Sequence, residues 1–169
     1  MINTRRAEQT GFTLIEVLIT MVILSIGLLG IAGMQAAGLR NNHSAYTMTQ
    51  ASNLAMDMID RIRANSTAAA DYVGFDSNTS VTANPGCISA GCTPAQLAEF
   101  DKFQWSQPLE AADKPVLPDG RGVITQNGDE LIVTILWHEA AYQGMTPNKC
   151  AGFAGVANDI SCFQMRFKP

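Results

Sequence analysis

The chain has 169 residues, about one domain, and is 47% apolar but only 15% charged, where soluble domains average about 25% charged. The deficit is local, because 16 of the 23 residues from Phe12 to Met34 are apolar. These values exclude a disordered chain and a transporter with several spans, and the net charge of −4 gives no electrostatic support for nucleic acid as a partner.

A basic flank and a long uncharged stretch follow one another at the N-terminus. Arg5 and Arg6 come first, and the stretch from Val17 to Leu39 then carries no charged side chain over 23 residues. Positive residues hold a flank in the cytoplasm, and about 20 apolar residues let a helix cross the hydrocarbon core. The pattern predicts a single membrane span whose C-terminal side lies outside the cytoplasm.

One acidic residue, Glu16, lies among apolar residues at the start of this stretch. A carboxylate within lipid is energetically costly and is usually paired or functional. A simpler interpretation also exists, because a side chain this near the helix end can snorkel to the cytoplasmic interface. The charge pattern alone leaves both interpretations open.

The string from Gly11 to Glu16, GFTLIE, resembles the class III signal of type IV pilins and type II secretion pseudopilins. In that family a membrane-embedded prepilin peptidase cuts between the residues that match Gly11 and Phe12, and it methylates the new amine of Phe12. The new amine could pair with Glu16 within one subunit, whereas the resemblance implies that Glu16 pairs with the amine of a neighbouring subunit during fibre assembly. Because a charge pair is strong at low dielectric, Glu16 would fix the docking register.

The helix is expected to continue beyond the membrane to about Asn65. Asp57 and Arg61 can pair at i, i+4 on one face. A second face carries an apolar stripe at helical spacing, formed by Ala51, Leu54, Ala55, Met58, Ile59 and Ile62. The expected organisation is a cleaved leader, a transmembrane or fibre-core half of the helix, an amphipathic half and a periplasmic globular domain, at residues 1–11, 12–34, 35–65 and 66–169.

The segment after the helix reads as irregular with one short helix. Residues 65–86 are rich in small and polar residues and predict a loop. Residues 95–103 predict a short helix capped by Thr93, with Pro94 in its first turn. The prolines that follow predict an extended, irregular stretch, at Pro108, Pro115 and Pro118. Asn65-Ser66-Thr67 and Asn78-Thr79-Ser80 match glycosylation sequons, a short pattern that is weak evidence by itself.

The C-terminal third predicts an antiparallel sheet. Residues 122–126 and 130–138 flank Asn127-Gly128, a signal for a type I′ hairpin. The second strand, LIVTILW, is apolar on both faces and is therefore expected to be central. Alternating Phe163, Met165 and Phe167 predict a third strand. The predicted fold class is α+β, a long N-terminal helix packed on a small antiparallel sheet, as in pilins.

Four cysteines follow the membrane segment, at Cys87, Cys92, Cys150 and Cys162. An even number outside the cytoplasm favours disulfides. Of the three connectivities, sequence proximity favours Cys87–Cys92 with Cys150–Cys162. The rival is a zinc site, but the wide second spacing and the absence of nearby histidines disfavour a metal.

No catalytic motif occurs, and no enzyme activity or cofactor is expected. His138 and Glu139 are adjacent in a strand and point to opposite faces, so His138 reads as a surface residue. The Cys87-x4-Cys92 pair, the Ala98-x2-Asp101-x3-Trp105 spacing and the strand ending at Trp137 resemble the PilV group of minor pilins, the type IV pilus modification proteins. That resemblance implies pilus assembly, attachment and twitching motility.

It also implies as partners the prepilin peptidase, other minor pilins, the major pilin and inner-membrane lipid. The expected location is the bacterial inner membrane, with the C-terminal domain in the periplasm, and then the extracellular pilus. The alternatives are a pseudopilin of a type II secretion system, a pilus-borne adhesin, and a membrane-anchored enzyme or sensor with an ordinary signal anchor.

Overall fold

The computed structural model describes residues 11–79, 84–110, 115–139 and 159–169. The helices are α1 (Leu14–Ala64), a 3₁₀ helix (Ser66–Tyr72), α2 (Cys87–Ala90) and α3 (Pro94–Glu110). The strands are β1 (Arg121–Asn127), β2 (Glu130–His138) and β3 (Ile160–Phe167). The predicted pilin-like α+β class is confirmed.

The chain divides into two compact units, Met1–His43 and Ser44–Pro169, and helix α1 contributes residues to both. In the second unit the helix buries one stripe, which consists of Thr47, Ala51, Ala55, Met58, Ile59 and Ile62. This is the predicted apolar stripe, with Leu54 half-buried beside it. Helix α1 ends one residue before the predicted end at Asn65. Asp57 Oδ2 lies 3.0 Å from Arg61 Nε, so the predicted i, i+4 pair is confirmed.

The described residues form one antiparallel sheet in the order β1-β2-β3. Every residue of β2 from Leu131 to Trp137 is buried, which confirms a central strand covered on both faces. On one face, alternate side chains join the core that contains the α1 stripe: Leu131, Val133, Ile135 and Trp137. On the other face, Leu136 packs with Val123 and Cys162. The predicted third strand is also confirmed, as β3.

The turn between β1 and β2 differs from the prediction by one residue. Asn127 pairs with Glu130 in the ladder, so the turn residues are Gly128 and Asp129. Of these two only Gly128 has a positive φ, 63°. A type I′ turn needs positive φ at both positions, whereas a type II′ turn places glycine first. The predicted type I′ turn at Asn127-Gly128 is therefore wrong.

Helix α3 begins as predicted but ends later. The Thr93 hydroxyl accepts a hydrogen bond from the Gln96 N–H at 3.3 Å, and Gln96 Oε1 accepts one from the Thr93 N–H at 3.0 Å, which is a capping box. The helix then continues through Pro108, where an irregular stretch was expected. Leu109 is only 3% exposed. Its burial stabilises the last turn of the helix and compensates for the backbone hydrogen bond that Pro108 cannot donate.

A 3₁₀ helix occupies part of the segment that was predicted to be a loop. It buries Ala68 and Tyr72. The Tyr72 hydroxyl donates to Asp101 Oδ2 at 2.5 Å, and Asn65 Nδ2 donates to the Tyr72 hydroxyl oxygen at 3.1 Å. Burial raises the pKa of Tyr72 well above its usual value, and the bond to Asp101 raises it further. Tyr72 therefore remains a donor at neutral pH.

Asp101 links this cluster to helix α1. Asp101 Oδ1 lies 3.2 Å from Arg61 Nη1, and Asp101 is only 7% exposed. A buried carboxylate needs a cation and hydrogen-bond donors to be tolerated. Arg61 and Tyr72 supply both, so the C-terminal end of α1, the 3₁₀ helix and α3 are held together through one side chain.

Trp105 packs where the backbone of β1 comes closest to α3. Its indole N–H donates to the Leu54 carbonyl of α1 at 2.9 Å, and the side chain is 1% exposed. A Cβ on Gly122 would lie 2.3 Å from two ring atoms of Trp105. Glycine is therefore required at position 122 by close approach.

The segment before residue 80 pairs with the outer edge of β1. The Gly74 N–H donates to the Ile124 carbonyl at 2.9 Å, and the Ser77 N–H donates to the Gly122 carbonyl at 3.0 Å. Between these bonds, the Asp76 carboxylate accepts hydrogen bonds from Arg121. Those bonds hold the pKa of Asp76 below its usual value, so the pair is charged at neutral pH.

Gly122→Ala is expected to lower the free energy of unfolding by about 1–3 kcal/mol, the usual cost of forcing an extra group into a packed core. The measurement is chemical denaturation of the full chain in detergent, followed by circular dichroism. Gly38→Ala, at a helical position with open space around it, is the control and should be neutral or slightly stabilising. Equal stability of both variants would contradict the close approach of Trp105.

Asp76→Asn is expected to lower the free energy of unfolding by about 1–2 kcal/mol at pH 7. This is the usual contribution of a charge-assisted hydrogen bond, reduced because Arg121 is partly exposed to solvent. The pKa of Asp76 is lowered on folding, so its stabilisation is complete above the unfolded pKa of about 3.9. It is lost as the pH falls through the lower folded pKa. Unfolding curves of wild type and variant should therefore separate above about pH 4 and converge in stronger acid; a constant difference would exclude this pair as the cause.

Candidate functional site: the N-terminal segment

The bond between Gly11 and Phe12 lies just before helix α1. Residues 11–13 are outside the helix, which begins where Glu16 N–H and Val17 N–H both donate to the Thr13 carbonyl, at 3.1 and 3.3 Å. Phe12 is 84% exposed. The predicted cleavage position is therefore non-helical and accessible in the described chain.

The first unit presents an apolar surface on all sides of helix α1. The most apolar 18-residue window of this helix has a mean hydropathy of 2.6, and none of it is buried. By length and composition the helix can cross a membrane. A helix that is apolar all round needs lipid or other helices to cover it. Its exposed large side chains include Leu14, Ile15, Leu18, Ile23, Leu24, Ile26, Leu29 and Met34.

The hydroxyl groups within this apolar helix bond to the helix itself. Thr20 Oγ1 donates to the Val17 carbonyl at 2.8 Å, and Ser25 Oγ donates to the Met21 carbonyl at 2.7 Å. Such back-bonding satisfies a hydroxyl where no water is present. Neither side chain therefore opposes burial of this helix in lipid or in a bundle of helices.

Glu16 is the only charged side chain between residues 11 and 39. It is exposed in the first turn of the helix, where the helix dipole favours a negative charge. Within the described part of the chain, its carboxylate has neither an ion-pair partner nor a hydrogen-bond donor. Packing apolar groups over this surface would desolvate the Glu16 carboxylate. This is energetically costly unless the covering groups also bring a cation to pair with it.

The cysteine predictions divide between described and undescribed residues. Cys87 and Cys92 are joined by a disulfide, as sequence proximity predicted, and this bond excludes them as zinc ligands. Cys162 on β3 is disulfide-bonded as well. Its predicted partner, Cys150, lies outside the described residues, so the pairing of Cys150 with Cys162 stays a prediction.

His138 lies in a polar pair at the end of the sheet. Its Nε2 is 3.0 Å from Asp159 Oδ2, and both side chains are about half exposed. The contact joins the end of β2 to the residue before β3. The ranges that the structure describes contain no group of three or more side chains suited to a metal ion.

Comparison with known families then assigns the chain. A family profile described as the prokaryotic N-terminal methylation motif matches residues 6–32, the segment that contains Gly11, Phe12 and Glu16. A second, described as type IV pilin Tt1218, matches residues 33–103. The chain is a type IV pilin family protein.

This pilin is accordingly a structural protein and not an enzyme. The motif implies processing by a prepilin peptidase and assembly with other pilins. No curated protein and no solved structure matches the chain. The two matched segments together cover the long helix and continue into α3.

Proposed function

We propose that this pilin is a minor pilin of the type IV pilus, of the PilV group, that helps to prime the fibre or belongs to its tip complex. In this role it supports pilus-dependent attachment and twitching motility. Before assembly it resides in the inner membrane as a single-pass protein with its C-terminal domain in the periplasm. It then enters the pilus beneath another minor pilin.

The observation that carries this proposal is the position of Glu16. Removal of residues 1–11 leaves a new ammonium on Phe12, four residues before Glu16. A carboxylate on an otherwise apolar helix needs a cation when it leaves the interface for a bundle of helices. The methylated Phe12 amine of an adjacent subunit would supply the required charge.

Residues of the PilV-like spacing support the proposal in a different way. Asp101 holds Arg61 and Tyr72, and Trp105 bonds to α1. Ala98 is fully buried. All three lie inside the domain, so in this chain the residues of this spacing pack α3 and do not form a ligand surface.

Two alternatives predict different phenotypes for a strain that lacks this protein. If the protein is a pseudopilin, its deletion should abolish type II secretion and leave pili intact. If it is a pilus-borne adhesin, its deletion should leave the number of pili unchanged and abolish only attachment. If it is a priming minor pilin, its deletion should reduce the number of surface pili, and in the wild type its copy number should be far below that of the major pilin.

Gly11→Val should leave the leader attached, because the branched side chain obstructs an extended backbone in a narrow protease cleft. Intact mass measurement of the membrane-extracted chain gives the result directly. Gly27→Ala, at a helical position with open space, is the control and should be processed. A wild-type chain that starts at Met1 in functional pili would end the proposal.

Glu16→Ala should still insert in the membrane, since removing a charge from an apolar segment favours insertion. It should be lost from sheared pili, because the partner amine then has no carboxylate to bind. Membranes and sheared fibres are scored separately by immunoblot. Glu110→Ala, an exposed carboxylate at the end of α3, is the matched control and should enter pili. Normal recovery of Glu16→Ala in sheared pili would show that Glu16 snorkels and has no part in docking.

A further inference from the structure

The disulfide between Cys87 and Cys92 lies at the surface of the domain. Neither cysteine belongs to the hydrophobic clusters that the described residues form. Both are partly exposed, and Ile88, which follows Cys87, is 86% exposed. Disulfides in exposed positions exchange with external thiols more readily than buried ones. The position of this bond therefore favours exchange in the folded chain.

The backbone inside the disulfide ring has hydrogen bonds of its own. Gly86 and Gly91 bracket helix α2 with φ values of 75° and 69°, which glycine adopts without steric cost. Between them, the Ser89 N–H and the Ser89 hydroxyl both donate to the Gly86 carbonyl, at 3.2 and 3.1 Å. Opening the sulfur–sulfur bond breaks none of these contacts, so the turn can persist in the reduced chain.

The start of helix α3, directly after the ring, is also fixed by contacts other than the disulfide. Thr93 and Gln96 form the capping box described above. Asn65 Nδ2 donates to the Pro94 carbonyl at 2.8 Å, which ties this end of α3 to the end of α1. Reduction of the bond and unfolding of the domain are therefore separable events.

The two sulfur atoms differ in their surroundings. Cys87 Sγ lies 3.7 Å from the Gln96 carbonyl oxygen, in an exposed contact, and a carbonyl oxygen disfavours negative charge on a neighbouring sulfur. Cys92 directly precedes Thr93, the capping residue of α3, and the partial positive charge at a helix N-terminus favours a thiolate. Cys92 is therefore the better leaving group, and Cys87, beside the exposed Ile88, is the sulfur to be attacked.

The charge around the bond suits an attacking thiolate. Residues 77–98 contain no charged side chain, so this segment brings no carboxylate that would repel a negatively charged sulfur. An exposed apolar side chain next to Cys87 and the uncharged chain on both sides match a partner whose reactive thiol lies in an uncharged, apolar surface. The segment thus has the chemistry of a substrate for a thiol–disulfide oxidoreductase.

We propose that Cys87 is a thiol-exchange site on the folded domain, through which a thioredoxin-like dithiol oxidoreductase opens and closes the Cys87–Cys92 bond. A thiolate of the oxidoreductase bonds to Cys87 Sγ, the bond between the two cysteines breaks, and Cys92 leaves as a thiolate that takes a proton from water. The second thiolate of the oxidoreductase then attacks the first, and Cys87 leaves and is protonated in the same way.

The oxidoreductase ends as a disulfide and the pilin as a dithiol, a transfer of two electrons. The same steps in reverse close the bond, with the oxidised enzyme as oxidant. This inference depends on export of the domain and is independent of where the pilin sits in the fibre.

The first test follows reduction of the purified full chain in detergent by dithiothreitol, at several urea concentrations below the unfolding transition. Samples are alkylated and mapped by mass spectrometry, and the emission of the buried Trp105 and Trp137 reports folding. Cys87 and Cys92 should become alkylated while the emission stays native. Their rate, relative to that of oxidised glutathione in the same urea, should vary by less than about twofold, because exchange at an accessible bond does not wait for unfolding. A rate that rises with urea in proportion to the unfolded fraction would overturn the proposal.

The second test uses a thioredoxin whose resolving cysteine is replaced by serine, so that the mixed disulfide is trapped. Peptide mapping after an acid quench should find the adduct on Cys87 at least about twice as often as on Cys92, the ratio expected from a helix dipole. The double variant Cys87→Ser with Cys92→Ser is the control and should keep native emission and form no adduct in this segment. An adduct mainly on Cys92, or none while a reference disulfide peptide reacts, would refute Cys87 as the exchange site.

Discussion

The close contact between Trp105 and Gly122 determines how the elements of the second unit come together. The indole ring lies where a side chain on β1 would otherwise be, and its N–H bonds to the α1 backbone. One side chain therefore sets the distance of α3 from both the sheet and the long helix. Because protein cores are close-packed and yield little, a change at either position is felt by α1, α3 and β1 together.

Long, periodic features could be predicted from the sequence because a single physical rule governs each. The buried stripe from Ala51 to Ile62 follows helical spacing, and strand β2 follows from an apolar run between turn residues. The methylation motif likewise depends on a short string that begins at Gly11. In each case the signal is local to the residues that carry it.

The features that could not be predicted from the sequence depend on contacts between residues that are far apart in the chain. Pro108 signals the end of a helix, but burial of Leu109 keeps α3 going. The segment after Asn65 is polar and reads as a loop, yet Tyr72 finds Asp101, 29 residues away, and a 3₁₀ helix forms. The hairpin turn moved by one residue because the ladder includes Asn127. The isolation of Glu16 among apolar residues, by contrast, was visible in the sequence pattern.

The disulfide between Cys87 and Cys92 spans a sequence separation of only five, and this has a consequence for the order of events during the proposed export of the domain. Closing so short a loop takes well under a microsecond, and it needs neither the sheet nor the long helix in place. Chain closure therefore does not delay the bond, and its rate is set by the oxidant, on a scale of seconds or longer. With a fast oxidant it can form once residue 92 has left the membrane and before β1 has been translocated. Two of the four thiols would then be consumed early, and of the three connectivities only one would remain for Cys150 and Cys162. A short ring near the start of the domain, once oxidised, thereby keeps Cys87 and Cys92 from mispairing with the cysteines that arrive later.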